Sequence, residues 1–581
     1  MNVARCLVLL CATASLAAQE LRWQLPVRGA AVYTRKLKVE ETVEPKGVWI
    51  PGVWHGEPQQ ASVLAGELAD NRQHLAETVS DPREFLARIA LDLRSVRGGK
   101  TTLEVAHLDR FQPVQVAVVL GEIAADGSQA IEATIEVDAK AARTAANPNV
   151  ARLQGRVRGS RVIDRAKGLV SSFTGTAEFT VDYPAFQEGQ EARPVRQQQI
   201  RIADAWTLEV VLAPDDVEFR SRVTQAIRDS IAHLKKELGT RLERPFEPGD
   251  NPYHDHQPGE LALVLLALKR SGEDARDPLL ERGYDELRRL VIQGSYELAV
   301  AILAMEALYT PPSEWAQLRE GRIKAPLPRT LPAGDLAIVQ GWAKELLDNI
   351  DSTTDPAYVR RWHYGPGKEW DNSCTQYALL GLYGASLCGV EVSPQVWTSA
   401  ANHWLQCGRR QGIADFVRVT YQQDLEKGTR TRVGSAKLQP LGWSYKEDGD
   451  PTGSMTTAGI AALTLCSSAL RIHRKGAGKQ LAEVDAAVRA GFLWLERNFS
   501  VRHNPGPRSN WDNWQHYYLY GLERACELNQ VALLGERDWY FEGAVRLIGT
   551  QHKNGSWGDW VGTAFGLLFL KKTSLPAITG R

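Results

Sequence analysis

From residue 215 onward the chain alternates between two kinds of helical pattern, six times over. Each pair opens with a segment whose apolar residues recur at three- and four-residue steps. It closes with one that is apolar almost all round. In the first pair Val223, Ile227, Ile231, Leu234 and Leu238 form one stripe, Gly239 is expected to stop it, and ELALVLLAL follows from Glu260. The other pairs are residues 277–292 with the run from Tyr296, 335–350 with the run from Thr375, 394–407 with the run from Thr456, 481–498 with the run from Gln515, and 537–550 with the run from Thr563. A striped helix buries one face, whereas a helix apolar on every side must be enclosed. Six enclosed helices, each with a striped partner, describe an inner barrel inside an outer ring, an (α/α)6 toroid. An open solenoid of helical hairpins is the competing layout, but its helices would be more alike.

The first two hundred residues have a different texture. FQPVQVAVVLGEI, QAIEATIEVDA, ARLQGRVRG, TAEFTVDYP and WTLEVVLAP are short alternating or β-branched runs separated by turn residues. They predict a β-rich, sandwich-like domain, with one helix expected at 82–96. Residues 1–18 read as a signal peptide: Arg5 gives a positive start, residues 6–16 are mostly apolar, and Ser15, Ala17 and Ala18 offer a cleavage site. The expected organisation is a signal peptide over 1–18, a β-rich domain over 19–212 and a toroid over 214–581. The mature protein is then secreted or periplasmic. No later stretch reads as a transmembrane segment.

Formal net charge is zero over 581 residues, and basic residues are dispersed. That balance argues against nucleic-acid binding. Seven cysteines include two in the signal segment. The other five, Cys374, Cys388, Cys407, Cys466 and Cys526, are odd in number and widely spaced. They suit buried small side chains better than a disulfide framework.

The loops before the apolar helices carry the unusual side chains. Trp362-His363-Tyr364 precedes DNSCTQYALLGL, and Trp443-Ser444-Tyr445 precedes PTGSMTTAGIAAL. Trp362 to Ser373 and Trp443 to Ser454 are both eleven positions. In a toroid the inner helices run parallel, so these loops meet at one end. They would gather Trp362, Tyr364, Asp371, Trp443, Tyr445, Trp511, Asp512, Trp557 and Asp559, with Tyr377 and Tyr517 from the helix starts. Aromatics and carboxylates around a concave mouth are the material of a binding site. The same residues also have plain structural uses: Trp and Tyr can plug a barrel, and Asp371 or Asp512 can cap a helix.

The six pairs, with QHKNGSW just before the last inner helix, resemble the terpene cyclase and protein prenyltransferase toroids. Gln551, Gly555 and Trp557 match the Gln-x3-Gly-x-Trp half of the squalene–hopene cyclase repeat motif, and Gln439, Gly442 and Trp443 form a degenerate second copy. The chain looks most like squalene-cyclase-like repeat proteins of uncharacterised role, many of them exported. The resemblance spans residue 214 to the C-terminus. It implies that the Gln caps and the Trp stacks at helix ends, tying outer helix to inner.

The resemblance also allows the family's chemistry to be compared position by position. Squalene–hopene cyclases protonate an alkene with an Asp-x-Asp-Asp string. Here Asp371-Asn372-Ser373-Cys374 and Thr452-Gly453-Ser454-Met455 occupy that register, and serine stands where the acid is needed. A hydroxyl does not protonate an isolated alkene, so cyclisation is not expected. Prenyltransferases hold zinc with an Asp, a Cys and a later His. Asp371, Cys374 and His516 are the right types, although the Asp–Cys spacing is one residue too long and His516 lies two repeats on. His254-Asp255-His256 is a second candidate metal cluster.

A carbohydrate-active (α/α)6 enzyme would instead set Asp371, Asp512 and Asp559 across the mouth from Trp362, Trp443 and Trp511. The leading expectation is a toroid that binds an apolar small molecule, a glycan or a partner peptide in its mouth. The paired-carboxylate enzyme and the zinc transferase are the alternatives, and the sequence does not decide whether the protein is catalytic.

Overall fold

A computed structural model describes residues 28–44, 59–64, 99–105, 114–138, 152–182, 197–246, 253–472, 478–506 and 514–574, apart from residues 429–431 and a few single positions. The signal segment, the helix expected at 82–96, and His254, Trp511 and Asp512 lie outside the described residues. The chain divides into two compact units, Met1–Asp216 and Val217–Arg581.

The first unit is built on one eight-stranded antiparallel sheet in the order β2-β1-β8-β7-β6-β5-β4-β3. Its strands are β1 (Ala30–Glu44), β2 (Gln59–Leu64), β3 (Gly99–Val105), β4 (Val114–Leu120), β5 (Ser128–Asp138), β6 (Arg152–Asp164), β7 (Leu169–Asp182) and β8 (Gln197–Leu212). The sandwich-like expectation needs correction: among the described residues the strands form a single sheet. From β3 to β8 each strand pairs with the next in sequence, which leaves no crossover to start a second layer. Gly127, at φ +85°, makes the tight β4–β5 turn that this meander requires.

Alternation sets the faces. On β6, Val157, Arg161 and Ile163 are buried, while Arg156, Arg158 and Ser160 are exposed. The buried face also encloses an ion pair. Arg35 Nη2 lies 2.8 Å from Asp204 Oδ2, and its guanidinium stacks over Trp206.

The second unit is helical. All six expected pairs fold as helices. The apolar members are α2 (Gln257–Arg270), α4 (Ser295–Leu308), α7 (Asn372–Leu387), α10 (Gly453–Ile472), α12 (Gln515–Leu528) and α14 (Trp560–Lys571). The striped members are α1 (Val217–Arg241), α3 (Pro278–Arg289), α6 (Ala333–Asp348), α8 (Pro394–Cys407), α11 (Gly478–Arg497) and α13 (Trp539–Thr550). Helix α1 runs two residues past Gly239, which keeps helical geometry where a Cβ would make only an ordinary contact with Leu279. Asp277, Asp371, Ser393, Asp538 and Asp559 accept N–H bonds as side-chain caps.

The apolar helices pack in succession: α2 on α4, α4 on α7, α7 on α10, α10 on α12, α12 on α14, and α14 back on α2. The striped helices lie against them, for example α6 on α4 and α7, and α8 and α11 on α10. Against the expectation that no later stretch is long and apolar enough, helix α10 could cross a bilayer by length and composition, but 89% of its most apolar stretch is buried within the protein. Short elements interrupt the pairs: α5 (Glu314–Arg319), α9 (Gln422–Glu426), the strand pair β9 (Arg409–Arg410) and β12 (Leu441–Gly442), and a three-stranded sheet of β11 (Arg432–Leu438), β10 (Asp415–Tyr421) and β13 (Val531–Leu534).

Candidate functional site

Three of the expected ligand-binding residues turn out to share one structural task. Trp362, Trp443 and Trp557 are buried, with at most 2% exposure. Each donates its backbone N–H to a threonine near the start of the following inner helix: Thr375 at 3.0 Å, Thr456 at 3.3 Å and Thr563 at 3.0 Å. Each donates its indole N–H to a carbonyl near the end of the preceding outer helix: Leu346 at 2.7 Å, Trp404 at 2.8 Å and Leu547 at 2.8 Å. The indoles are therefore staples between outer and inner helices, with their polar tips already used. Gln551 extends the tie by donating to Ala226 O of α1 at 2.9 Å.

The tyrosine two places after the Trp has a different role. The carbonyl of Tyr364 accepts from Ser295 N, the first residue of α4, at 2.7 Å, and the carbonyl of Tyr445 accepts from Asn372 N, the first residue of α7, at 3.0 Å. Each loop thus satisfies an orphan N–H of the neighbouring inner helix. The tyrosine rings are left at the end where the helices begin. Tyr445 is 43% exposed, and it shares a side-chain hydrogen bond with half-buried Tyr364.

Asp371 is fully buried at the cap of α7. Its Oδ1 accepts from Cys374 N at 2.7 Å. Its Oδ2 has no hydrogen-bond partner of ordinary geometry; His363 Nε2 stands 3.8 Å away. Burial raises its pKa, opposed by the bonds from Cys374. Glu297, in the first turn of α4, is similar: Oε1 pairs with His256 Nδ1 at 2.6 Å, while Oε2 is buried without a partner. That bond holds the His256 pKa above its usual value.

Deeper in, Tyr377 packs edge-on to Tyr296 and stacks on Tyr517, with ring centroids at 4.7 and 6.2 Å. Tyr517 reaches from α12 to α7, past the intervening α10. Its hydroxyl meets Ser373 Oγ at 3.0 Å and accepts from Gln376 Nε2. The Tyr377 hydroxyl is buried and meets the Arg524 guanidinium.

Asp559 is an exposed cap whose Oδ1 takes Gly562 N at 2.7 Å. His516 lies near Arg546, Asp559 and His552 rather than beside Asp371 and Cys374, and burial lowers its pKa to about 4. The expected zinc trio is thus not brought together. Among the described residues no group of three His, Cys, Asp or Glu stands close enough to hold a metal ion.

A Cys–His–Asn cluster does form, with Asn372 Oδ1 2.9 Å and Cys407 Sγ 3.6 Å from His403 Nε2. Burial lowers the His403 pKa to about 3 and raises that of Cys407 to about 12, so both stay neutral and the pair lacks an activated nucleophile. A separate cavity of about 790 Å³ opens between the β10–β11 hairpin, α11 and residues 318–324, and none of the expected site residues lines it.

Sequence reasoning missed Glu297, Gln376 and Arg524. The signal was present, since Glu297 and Glu306 in α4, and Glu523, Arg524 and Glu527 in α12, are charges within mostly buried helices.

No known family profile matches the chain, and no curated protein matches it. Among solved structures, a lipovitellin chain described for its lipid–protein interactions aligns at 10% identity with a TM-score of 0.18, covering 86% of this chain and 56% of that one. The alignment spans little more than half of that chain, and a TM-score so low carries no argument about fold.

Proposed function

We propose that the helical unit is an (α/α)6 toroid of the terpenoid cyclase and prenyltransferase type, exported from the cell, whose mouth binds a small organic ligand. The return of α14 onto α2 supports the closed ring, and the Gln551–Trp557 tie supports the kinship. The observation that carries the binding reading is Asp371 Oδ2, a fully buried oxygen without an ordinary partner. Buried polar groups are almost always hydrogen-bonded, because leaving one unpaired costs about 1–3 kcal/mol. Glu297 Oε2 repeats the pattern near the aromatic rings, which suits a molecule with an apolar body and hydroxyl or amine donors.

Mass spectrometry under native conditions on the secreted full chain tests this. A small molecule retained by the wild type and lost from Asp371→Ala is expected; retention undiminished in that variant would sink the reading.

A second reading has its own observation. Asp371 and Glu297 each keep a carboxyl oxygen that makes no hydrogen bond, and both act electrostatically on Cys374. Such a pair suits general acid–base work on a glycan. Turnover of chromogenic glycosides, abolished by both Glu297→Gln and Asp371→Asn, would establish it, and absence of turnover across a broad glycoside panel would remove it.

A further inference from the structure

We infer that Arg524 forms an anion-binding subsite inside the helical unit, so that the ligand of the mouth carries a carboxylate or phosphate. The inference rests on the mouth being a binding site. Four arginines are buried among the described residues: Arg35, Arg161, Arg329 and Arg524. Arg35 has Asp204 at 2.8 Å, and Arg329 has Glu306 at 2.6 Å and Glu314 at 2.7 Å. Arg161 donates to Gln129 at 2.9 Å. Arg524, 3% exposed, has no carboxylate within 4 Å among the described residues. One of its hydrogen-bond contacts is a long one, Nη1 to Gln376 Oε1 at 3.5 Å. The remainder is two tyrosines, which share side-chain hydrogen bonds with the guanidinium and bring their ring centroids to 4.2 Å (Tyr520) and 5.5 Å (Tyr377) from it.

A guanidinium offers five N–H donors in a planar fork. Cation–π contacts offset part of its desolvation, at up to about 2 kcal/mol each, and Gln376 and the two phenols take some of its donors, but every one of these partners is neutral. Arginine is almost never fully buried without a counter-charge. A two-oxygen anion supplies the missing charge, and carboxylate and phosphate both take the fork bidentately. The adjacent Glu523 does not fill this role, since its carboxyl is engaged by Ser574 N and Oγ at 2.8 and 2.7 Å.

The surroundings lead from the mouth to Arg524. Tyr517 is seven residues earlier, on the same face of α12. Its hydroxyl accepts from Gln376 Nε2, while Gln376 Oε1 faces Arg524. The Gln376 amide oxygen therefore holds the place that a ligand oxygen would take, and the rings of Tyr377, Tyr517 and Phe565 would flank the apolar body behind it.

Isothermal titration of the full chain with dodecanoate, dodecyl phosphate and methyl dodecanoate tests the subsite, paired with thermal melts of Arg524→Met and Arg524→Lys. At least one anion should bind the wild type tenfold or more tighter than the ester, with the two anions separating carboxylate from phosphate. Arg524→Met should lose that preference while its ligand-free melting temperature stays level or rises, because an uncompensated buried charge has been removed. Arg524→Lys should keep part of the preference.

Ester binding as tight as the anions would overturn the subsite and leave the mouth reading standing. Anion affinity within twofold of wild type in Arg524→Met, or failure of that variant to fold, would also overturn the subsite. No binding of any of the three probes would remove the mouth reading for apolar ligands as well.

Discussion

The indole N–H of Trp443 donates to the carbonyl of Trp404 at 2.8 Å, so one side chain in a loop fixes the end of an outer helix. The same residue is pressed against its inner helix: a Cβ placed on Gly459 would lie 2.5 Å from Trp443 Cδ2. Trp443→Ala should destabilise the protein by about 3–5 kcal/mol, the usual range for a fully buried tryptophan. Gly459→Ala should cost about 1–3 kcal/mol through overpacking. Urea denaturation followed by helical circular dichroism checks both. A loss below 1 kcal/mol for Trp443→Ala would show that the staple is dispensable.

Most of the helical architecture could be read from the sequence, because burial on all sides leaves an unmistakable pattern. The α2 and α4 runs have almost no polar residues, while α1 and α3 have clear stripes. The Trp-x-Tyr loops were also legible as a repeat, but their division of labour was not. Trp362 and Trp443 have the composition of a binding mouth, and only their partners, Leu346 and Trp404, reveal them as struts. Asp371 is a cap and a site candidate at once, since one oxygen serves Cys374 N and the other has only the distant His363 ring. The sheet was legible as strands but not as a single layer, because alternation fixes which face is buried and says nothing about how strands are ordered. Arg524 was not legible as a site, because Glu523 and Glu527 stand on the same helix and periodicity does not tell which charge lacks a counter-charge.

Glu523 should make stability fall with rising pH. Burial, with the neighbouring Glu527, raises its pKa to about 8, against hydrogen bonds from Ser574 that lower it. The native state therefore holds a proton that the unfolded chain releases near the ordinary glutamate value. The group's contribution is fully present below that value and is lost as pH rises toward 8, at up to about 1.4 kcal/mol per pH unit. Glu523→Gln should flatten this slope and gain on the wild type as pH increases. Denaturation midpoints at pH 5 and pH 8 decide the matter; parallel slopes for the two proteins would refute it.

Native-state alkylation should leave Cys374, Cys388, Cys466 and Cys526 unlabelled. All four are buried, and burial raises each thiol pKa, so little thiolate exists to react at pH 8. Peptide mapping after iodoacetamide treatment, with and without denaturant, measures this directly. Rapid native labelling of Cys374 would mean that the start of α7 opens to solvent.

Asp371 can be divided into its two functions by a pair of substitutions. Asparagine keeps an oxygen in place for Cys374 N, so Asp371→Asn should retain the cap. Alanine removes it, and Asp371→Ala should lose about 1 kcal/mol. The variants should also differ from the wild type in their response to pH. Because burial raises the carboxyl pKa in the folded state, the wild type gives up stability as pH climbs through that raised value. Asp371→Asn imitates the protonated acid and should show no such loss, becoming relatively more stable at neutral pH than at pH 4. Its affinity for the mouth ligand should nevertheless change, since the second oxygen has become an amide or has turned to the cap. Thermal melts at pH 4 and pH 7, together with ligand retention by mass spectrometry, test both parts. Equal stability of the asparagine and alanine variants would show that the cap contributes nothing, and unchanged ligand retention in both would confine Asp371 to the fold.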